Sequence, residues 1–101
     1  MKMLTIICRE QFEDEVLGVF NHLKITTFTV IHGVGGSGET GPVSVTHTRS
    51  DHNKLLLVAL DDDRMAALVE AVKELHARLG EDYIGHPVAL KAFLQPCELV
   101  V

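Results

Sequence analysis

The spacing of apolar and polar positions changes several times along the chain, and each change marks an element. Residues 4–9 form a short apolar run rich in β-branched side chains, which reads as a strand. Over residues 11–24 the period lengthens. Phe12, Val16, Val19, Phe20 and Leu23 recur at three- and four-residue steps and define one helical face. Glu13, Asp14 and Glu15 load its first turns with the negative charge that the positive end of a helix dipole favours. Residues 26–32 are β-branched again, a second strand. Residues 33–42 keep neither period and begin a long polar connection that runs to Asn53, within which residues 43–48 alternate and could extend a hairpin. The second half repeats the first. Residues 54–60 are a strand, and Asp61-Asp62-Asp63 is a turn that supplies an N-cap. Met65, Leu68, Val69, Val72, Leu75 and Leu79 make a helical face closed by Gly80, and residues 88–94 are a last strand stopped by Pro96.

The order βαβ, long loop, βαβ predicts an α+β fold. It is a ferredoxin-like βαββαβ sandwich, with a four-stranded antiparallel sheet, two helices on one face and a long loop between strands two and three. Residues 1–101 form a single domain, with a flexible loop at about 36–53. A sheet covered on one side should alternate apolar and polar positions. Yet Leu4-Thr5-Ile6-Ile7-Cys8 and Leu55-Leu56-Leu57-Val58-Ala59-Leu60 are apolar at nearly every position. Both faces are therefore expected to be buried. Helices account for one face, and another subunit is the simplest cover for the other, because a monomer seldom leaves so large an apolar patch wet. The alternative cover is the loop after Gly33.

Charge narrows the partners. Nine Lys and Arg against fourteen Asp and Glu give a formal charge of −5, so neither nucleic acid nor anionic lipid is expected as the main partner. No apolar run approaches the ~20 residues of a membrane span. The opening residues mimic a signal peptide, but the apolar stretch stops at Arg9 with no small-residue cleavage site, so a cytoplasmic strand is expected. Cys8 and Cys97 fit a reduced compartment. They fall at opposite ends of neighbouring antiparallel strands, beyond the roughly 7 Å between Cα atoms that a disulfide spans.

Candidate chemistry concentrates around the loop. Gly33-x-Gly35-x-x-Gly38 has dinucleotide-fingerprint spacing, but Thr40-Gly41-Pro42 breaks the chain where the phosphate-binding helix should begin. What survives is a glycine-rich turn whose amides could approach an anion. Of six histidines, His22 and His76 fall on helices. His32, His47 and His52, with Glu39 and Asp51, lie in or beside the loop and are the candidate ligands for Zn²⁺, Cu²⁺ or Ni²⁺. No nucleophile, base and orienting group stand at catalytic spacing, so no enzyme is expected.

Three strings carry a family resemblance. Met1-Lys2-Met3-Leu4-Thr5-Ile6-Ile7 precedes an acidic helix, Thr29-Val30-Ile31-His32-Gly33-Val34-Gly35 runs a strand into a G-x-G, and Lys91-Ala92-Phe93-Leu94-Gln95-Pro96-Cys97-Glu98 follows K-x-F-x-x-P-x-E. Together they resemble the divergent relatives of the PII signalling proteins. The resemblance implies a homotrimer with nucleotide pockets between subunits and a mobile loop that docks on a membrane transporter or a regulatory enzyme. On it, Gly33, Gly35, Gly85 and Lys91 are the expected ligand contacts, for an adenine nucleotide or another metabolite. Ser37, Glu39, Thr40 and Arg49 are the expected partner-binding positions. Departures from the family imply weakened or rebuilt ATP binding: its G-x-G-K reads Val88-Ala89-Leu90-Lys91 here, and its C-terminal arginines have no counterpart before Val101. Some PII-like groups sit beside heavy-metal efflux systems, which implies a metal-binding or metal-sensing trimer as the alternative function.

Overall fold

The computed structural model describes residues 1–38, 41–43 and 52–101. The chain forms β1 (Lys2–Arg9), a 3-10 turn (Glu10–Phe12), α1 (Glu13–His22), β2 (Thr29–Val34), β3 (Gly36–Gly38), β4 (Gly41–Val43), β5 (Asn53–Leu60), α2 (Asp62–Asp82) and β6 (Leu90–Pro96). The main sheet has the order β2-β5-β1-β6, and every neighbouring pair in it is antiparallel. This is the ferredoxin-like sandwich expected from the sequence, with both central strands drawn from the most apolar runs.

The core lies between the sheet and the helices. Leu4, Ile6 and Cys8 of β1 meet Leu56, Val58 and Leu60 of β5 there, under Val16 and Phe20 of α1 and Met65, Leu68, Val72, Leu75 and Leu79 of α2. The buried positions in each strand are two apart and those in each helix three or four apart, as a sheet pleat and a helical stripe require. Asp61 caps α2 by accepting from the Arg64 N–H at 2.9 Å. Lys24, left-handed at φ 58°, ends the turn after α1, and its carbonyl accepts from Arg64 Nη2 at 3.2 Å.

Several boundaries differ from the sequence reading. β2 begins at Thr29 rather than residue 26, because residues 25–28 are spent bringing the chain out of α1: Ile25 is buried, and Phe28 meets Phe20 edge to face at 5.0 Å. Gly80 does not close α2. The Tyr83 N–H donates to the Leu79 carbonyl at 3.1 Å, and the Tyr83 ring packs edge to face on Phe12 at 5.7 Å, so the helix continues to Asp82. The last strand runs from Leu90 to Pro96 rather than stopping before the proline. β6 is a sheet edge, where a missing N–H costs no ladder bond. Residues 33–42, which show no strand pattern in sequence, hold β3 and most of β4, paired Gly36↔Val43, Ser37↔Pro42 and Gly38↔Gly41. Backbone pairing of that kind needs no apolar side chains and leaves no periodic trace.

Both helices cover the same face of the sheet. On the other face the register sets out rows of side chains. Ile31, Leu55, Ile7 and Lys91 lie across the four strands, then Thr29, Leu57, Thr5 and Phe93, then Ala59, Met3 and Gln95. Ile31 is 44% and Phe93 56% exposed. Among the described residues, the burial expected of both faces is thus met on the helix side only.

Candidate functional site

One end of the sheet holds the root of the loop. Between the pairs Ile31↔Leu55 and Val34↔Asn53, β2 places two residues, His32 and Gly33, opposite the single Lys54 of β5. Gly33 has φ +67°. A bulge with glycine in the left-handed region bends its strand and re-aims the neighbouring side chain. His32 is thereby brought against Lys54, whose ammonium contacts the imidazole Nδ1. Lys54 is 7% exposed and is the buried charged residue of the described core. Glu10 of the 3-10 turn and Glu13 of α1 compensate it, each with a carboxylate oxygen 3.8 Å from Nζ. The 3-10 turn is fixed in place by the Glu10 N–H, which donates to the His52 carbonyl at 2.8 Å.

Sequence reading singled out His32 and His52 but missed Lys54, Glu10 and Glu13. A lysine flanked by Asn53 and six apolar residues reads as a strand end, and only the fold shows that this end lies under the first turns of the helix layer. Among the described residues, no group of three or more His, Cys, Asp and Glu stands together as a metal would need. The described neighbour of the candidate ligand His32 is itself a cation, the Lys54 ammonium. Glu39, Thr40, His47, Arg49 and Asp51 lie outside the described residues.

The remaining expected contacts gather at this same end. Gly33 and Gly35 flank the end of β2. Lys91 pairs with Ile7 on the open face. The Arg9 N–H donates to the Ala89 carbonyl at 3.0 Å, which lays the segment carrying Gly85 beside the end of β1. Gly85 has φ +86°, a conformation that favours glycine.

The opposite end of the open face carries a feature the sequence reading passed over. Thr26, Thr27, Phe28 and Thr29 line a shallow groove with Met3, Leu57, Val58 and Ala59. It offers an exposed aromatic ring, an apolar floor and three hydroxyls. The run Thr26-Thr27-Phe28-Thr29 was legible only as strand, because hydroxyls and a ring at β-branched spacing look the same whether or not they border a hollow.

Cys8, next to Lys54 across β1 and β5, is a free thiol. Burial, and after it the Glu13 and Glu15 carboxylates, push it up to about 11, while Lys54 pulls the other way. It is a protonated core residue at neutral pH. Cys97, past the far end of β6, is also free, as their opposite positions on β1 and β6 require.

Fold and loop root together define a ferredoxin-like module with one sheet face left uncovered by the described residues and a glycine-rich arm rising from its edge. The family profile of the nitrogen regulatory protein P-II matches residues 1–96, and the chain belongs to that family. Among solved structures, the chain is similar to CPII, a nitrogen regulatory PII-like protein from Thiomonas intermedia K12. With CPII bound to ADP, AMP and bicarbonate, the TM-score is 0.67 at 14% identity, over 93% of this chain and 84% of that one. With apo CPII it is 0.63 at 14% identity, over 93% and 85%. With CPII bound to ADP, AMP and acetate it is 0.62 at 12% identity, over 97% and 88%. No curated protein matches the chain by sequence.

Proposed function

We propose that this chain is a cytoplasmic PII-like regulator rather than an enzyme. In this reading it is a homotrimer that binds an adenine nucleotide or a related metabolite between subunits. The ligand state sets the loop beyond Gly35, which in turn controls a transporter or a regulatory enzyme.

The observation that carries this reading is the division of the open face. Lys91, with Gly33, Gly35 and Gly85, lies at one end. The groove of Thr26, Phe28 and Thr29 lies at the other. Leu55, in the row of Lys91, and Ala59, beside the groove, are four residues apart along β5, or about 13 Å at strand rise. A ligand of nucleotide size touching both ends is served better by two chains packed face to face than by one. A cation beside a glycine-rich backbone suits its phosphates, and a threonine-lined aromatic groove suits its base. The same packing covers Ile31, Leu57 and Phe93. CPII, which shares the fold, was solved with ADP, AMP and bicarbonate, which supports nucleotide as the ligand class.

The test is calorimetric titration of the protein with ADP, AMP and ATP, each with and without bicarbonate. Nucleotide binding is expected, with ATP weaker than for a typical PII protein because Val88-Ala89-Leu90 replaces the glycines before Lys91. Lys91→Ala and Thr29→Val should each weaken it. Absence of binding by all three nucleotides would overturn the proposal.

A further inference from the structure

β6 ends the sheet, and among the described residues no strand pairs with its outer edge. The ladder fixes which of its backbone groups look outward. The Arg9 N–H donates to the Ala89 carbonyl at 3.0 Å and the Cys97 N–H to the Met1 carbonyl at 3.4 Å. In an antiparallel pair such bonds recur at every second residue. The odd-numbered residues of β6 therefore bond to β1, and Ala92 and Leu94 turn their N–H and C=O to the outer edge. Ala92 and Leu94 stand opposite Ile6 and Leu4 on the helix side, yet both are exposed, so the helix layer stops short of them. Phe93, on the open face, is exposed as well. An apolar edge strand with outward backbone groups is a template for another strand. The chain then runs on as Glu98-Leu99-Val100-Val101, exposed residues that join no strand among those described. We propose that this segment of one copy adds as a short parallel strand to the β6 edge of a second copy.

Charge and polarity select the register. In parallel alignment Glu98 falls beside Lys91, Leu99 beside Ala92, Val100 beside Phe93 and Val101 beside Leu94. Residues side by side share a face. Leu99 and Val101 then cover the helix-side edge of Ala92 and Leu94, Val100 lies beside Phe93, and the carboxylate of the segment meets the charged residue of β6. The antiparallel alignment that keeps the apolar matches sets Glu98 against Gln95 and forgoes the ion pair. In the parallel ladder the Val100 N–H donates to the Ala92 carbonyl, and the Ala92 and Leu94 N–H groups donate to the carbonyls of Glu98 and Val100. A chain cannot place its own segment there. Parallel neighbours need a crossover of about a dozen residues, and only Cys97 separates Pro96 from Glu98. The occupant is therefore a second copy. The contact is head to tail and lies along the sheet edge, beside the open face. It rests on the reading that copies of this chain associate, and not on nucleotide binding.

The experiment is amide hydrogen exchange by NMR on the full chain, with sedimentation run on the same samples. The Phe93 and Gln95 amides, bonded to β1, are the internal standard. In the assembled wild type the Ala92 and Leu94 amides should be protected as well. Val100→Pro removes an N–H from the added strand and leaves β6 intact. It should speed exchange at Ala92 and Leu94 by about tenfold or more, with Phe93 unchanged. A cross-link checks that the strand comes from another copy. In a Cys97→Ser background, Ala92→Cys with Leu99→Cys places thiols on adjacent strands about 5 Å apart, within disulfide reach. Treatment with oxidised glutathione should join copies that separate on reduction. Free exchange at Ala92 and Leu94 in the assembled wild type, protection that survives Val100→Pro, or absence of the cross-link would each overturn the strand addition and leave the open-face assembly standing. A wild-type chain that stays monomeric would overturn both.

Discussion

On the helix side of the sheet, Ile6 and Leu56 are fully buried and Val58 is 2% exposed. One residue along on the same strands, Ile7, Leu55 and Leu57 are only half-buried, with Ile31 and Phe93 more open still. The two faces are built from the same residue types on the same backbone. They differ in what lies against them: two amphipathic helices on one, no described element of this chain on the other. Stability is thus concentrated on one side, and the other is kept apolar at a cost in solubility that assembly would relieve.

Substitutions on adjacent residues of β5 separate the faces most sharply. Leu56→Ala should lose about 2–5 kcal/mol in denaturant unfolding, since its site is closed on all sides and a cavity remains. Leu57→Asp, one residue away, should keep the native circular dichroism while reducing the mass seen by light scattering to that of a monomer. If Leu57→Asp unfolds the chain, or leaves the assembly whole, the faces are not divided in this way.

The thiols sharpen the same contrast. Cys8 on the helix side is raised from 9.0 to about 11 in the folded chain. Between those values the unfolded state has lost the proton that the folded state keeps, so stability is full below pH 9 and falls as pH rises towards 11. The loss is on the order of 2–3 kcal/mol, measured by urea unfolding across that range. Cys8→Ala should flatten this component. Cys97, outside the core, should react with iodoacetamide at pH 8 while Cys8 does not.

Lys54→Met tests the polar corner of the covered face. Glu10 and Glu13 keep partial access to water, at 40% and 20% exposure, so the cost should be about 1–2 kcal/mol rather than that of a sealed ion pair. The smallest effect lies on the outer surface of the helix layer. Gly18 sits within α1 with open space where a Cβ would be, and Gly18→Ala should raise stability by about 0.5–1 kcal/mol in thermal unfolding.

The fold was legible in the sequence where side chains repeat at the period of their element. Leu4 to Cys8 form a short apolar, β-branched run that ends at Arg9, and Met65, Leu68, Val72, Leu75 and Leu79 step along one helical stripe. It was not legible where backbone bonds decide. The β3–β4 pairing rests on Gly36, Ser37, Gly41 and Pro42, and the last turn of α2 rests on Tyr83 packing against Phe12 across the fold. The site follows the same division. Gly33, Gly35 and Lys91 could be picked out from local strings. The cluster around Lys54 could not, since it joins residues 10, 13, 32 and 54 through the bulge at Gly33. Nor could the groove, whose lining comes from β1, β5, the first residue of β2 and the segment before it.

The account turns on the open face being an interface between copies of this chain. Sedimentation equilibrium of the unmodified protein over a concentration range spanning 1 to 100 µM measures this directly. A single species of three times the 11.1 kDa chain mass is the predicted result. A monomer throughout that range would contradict it.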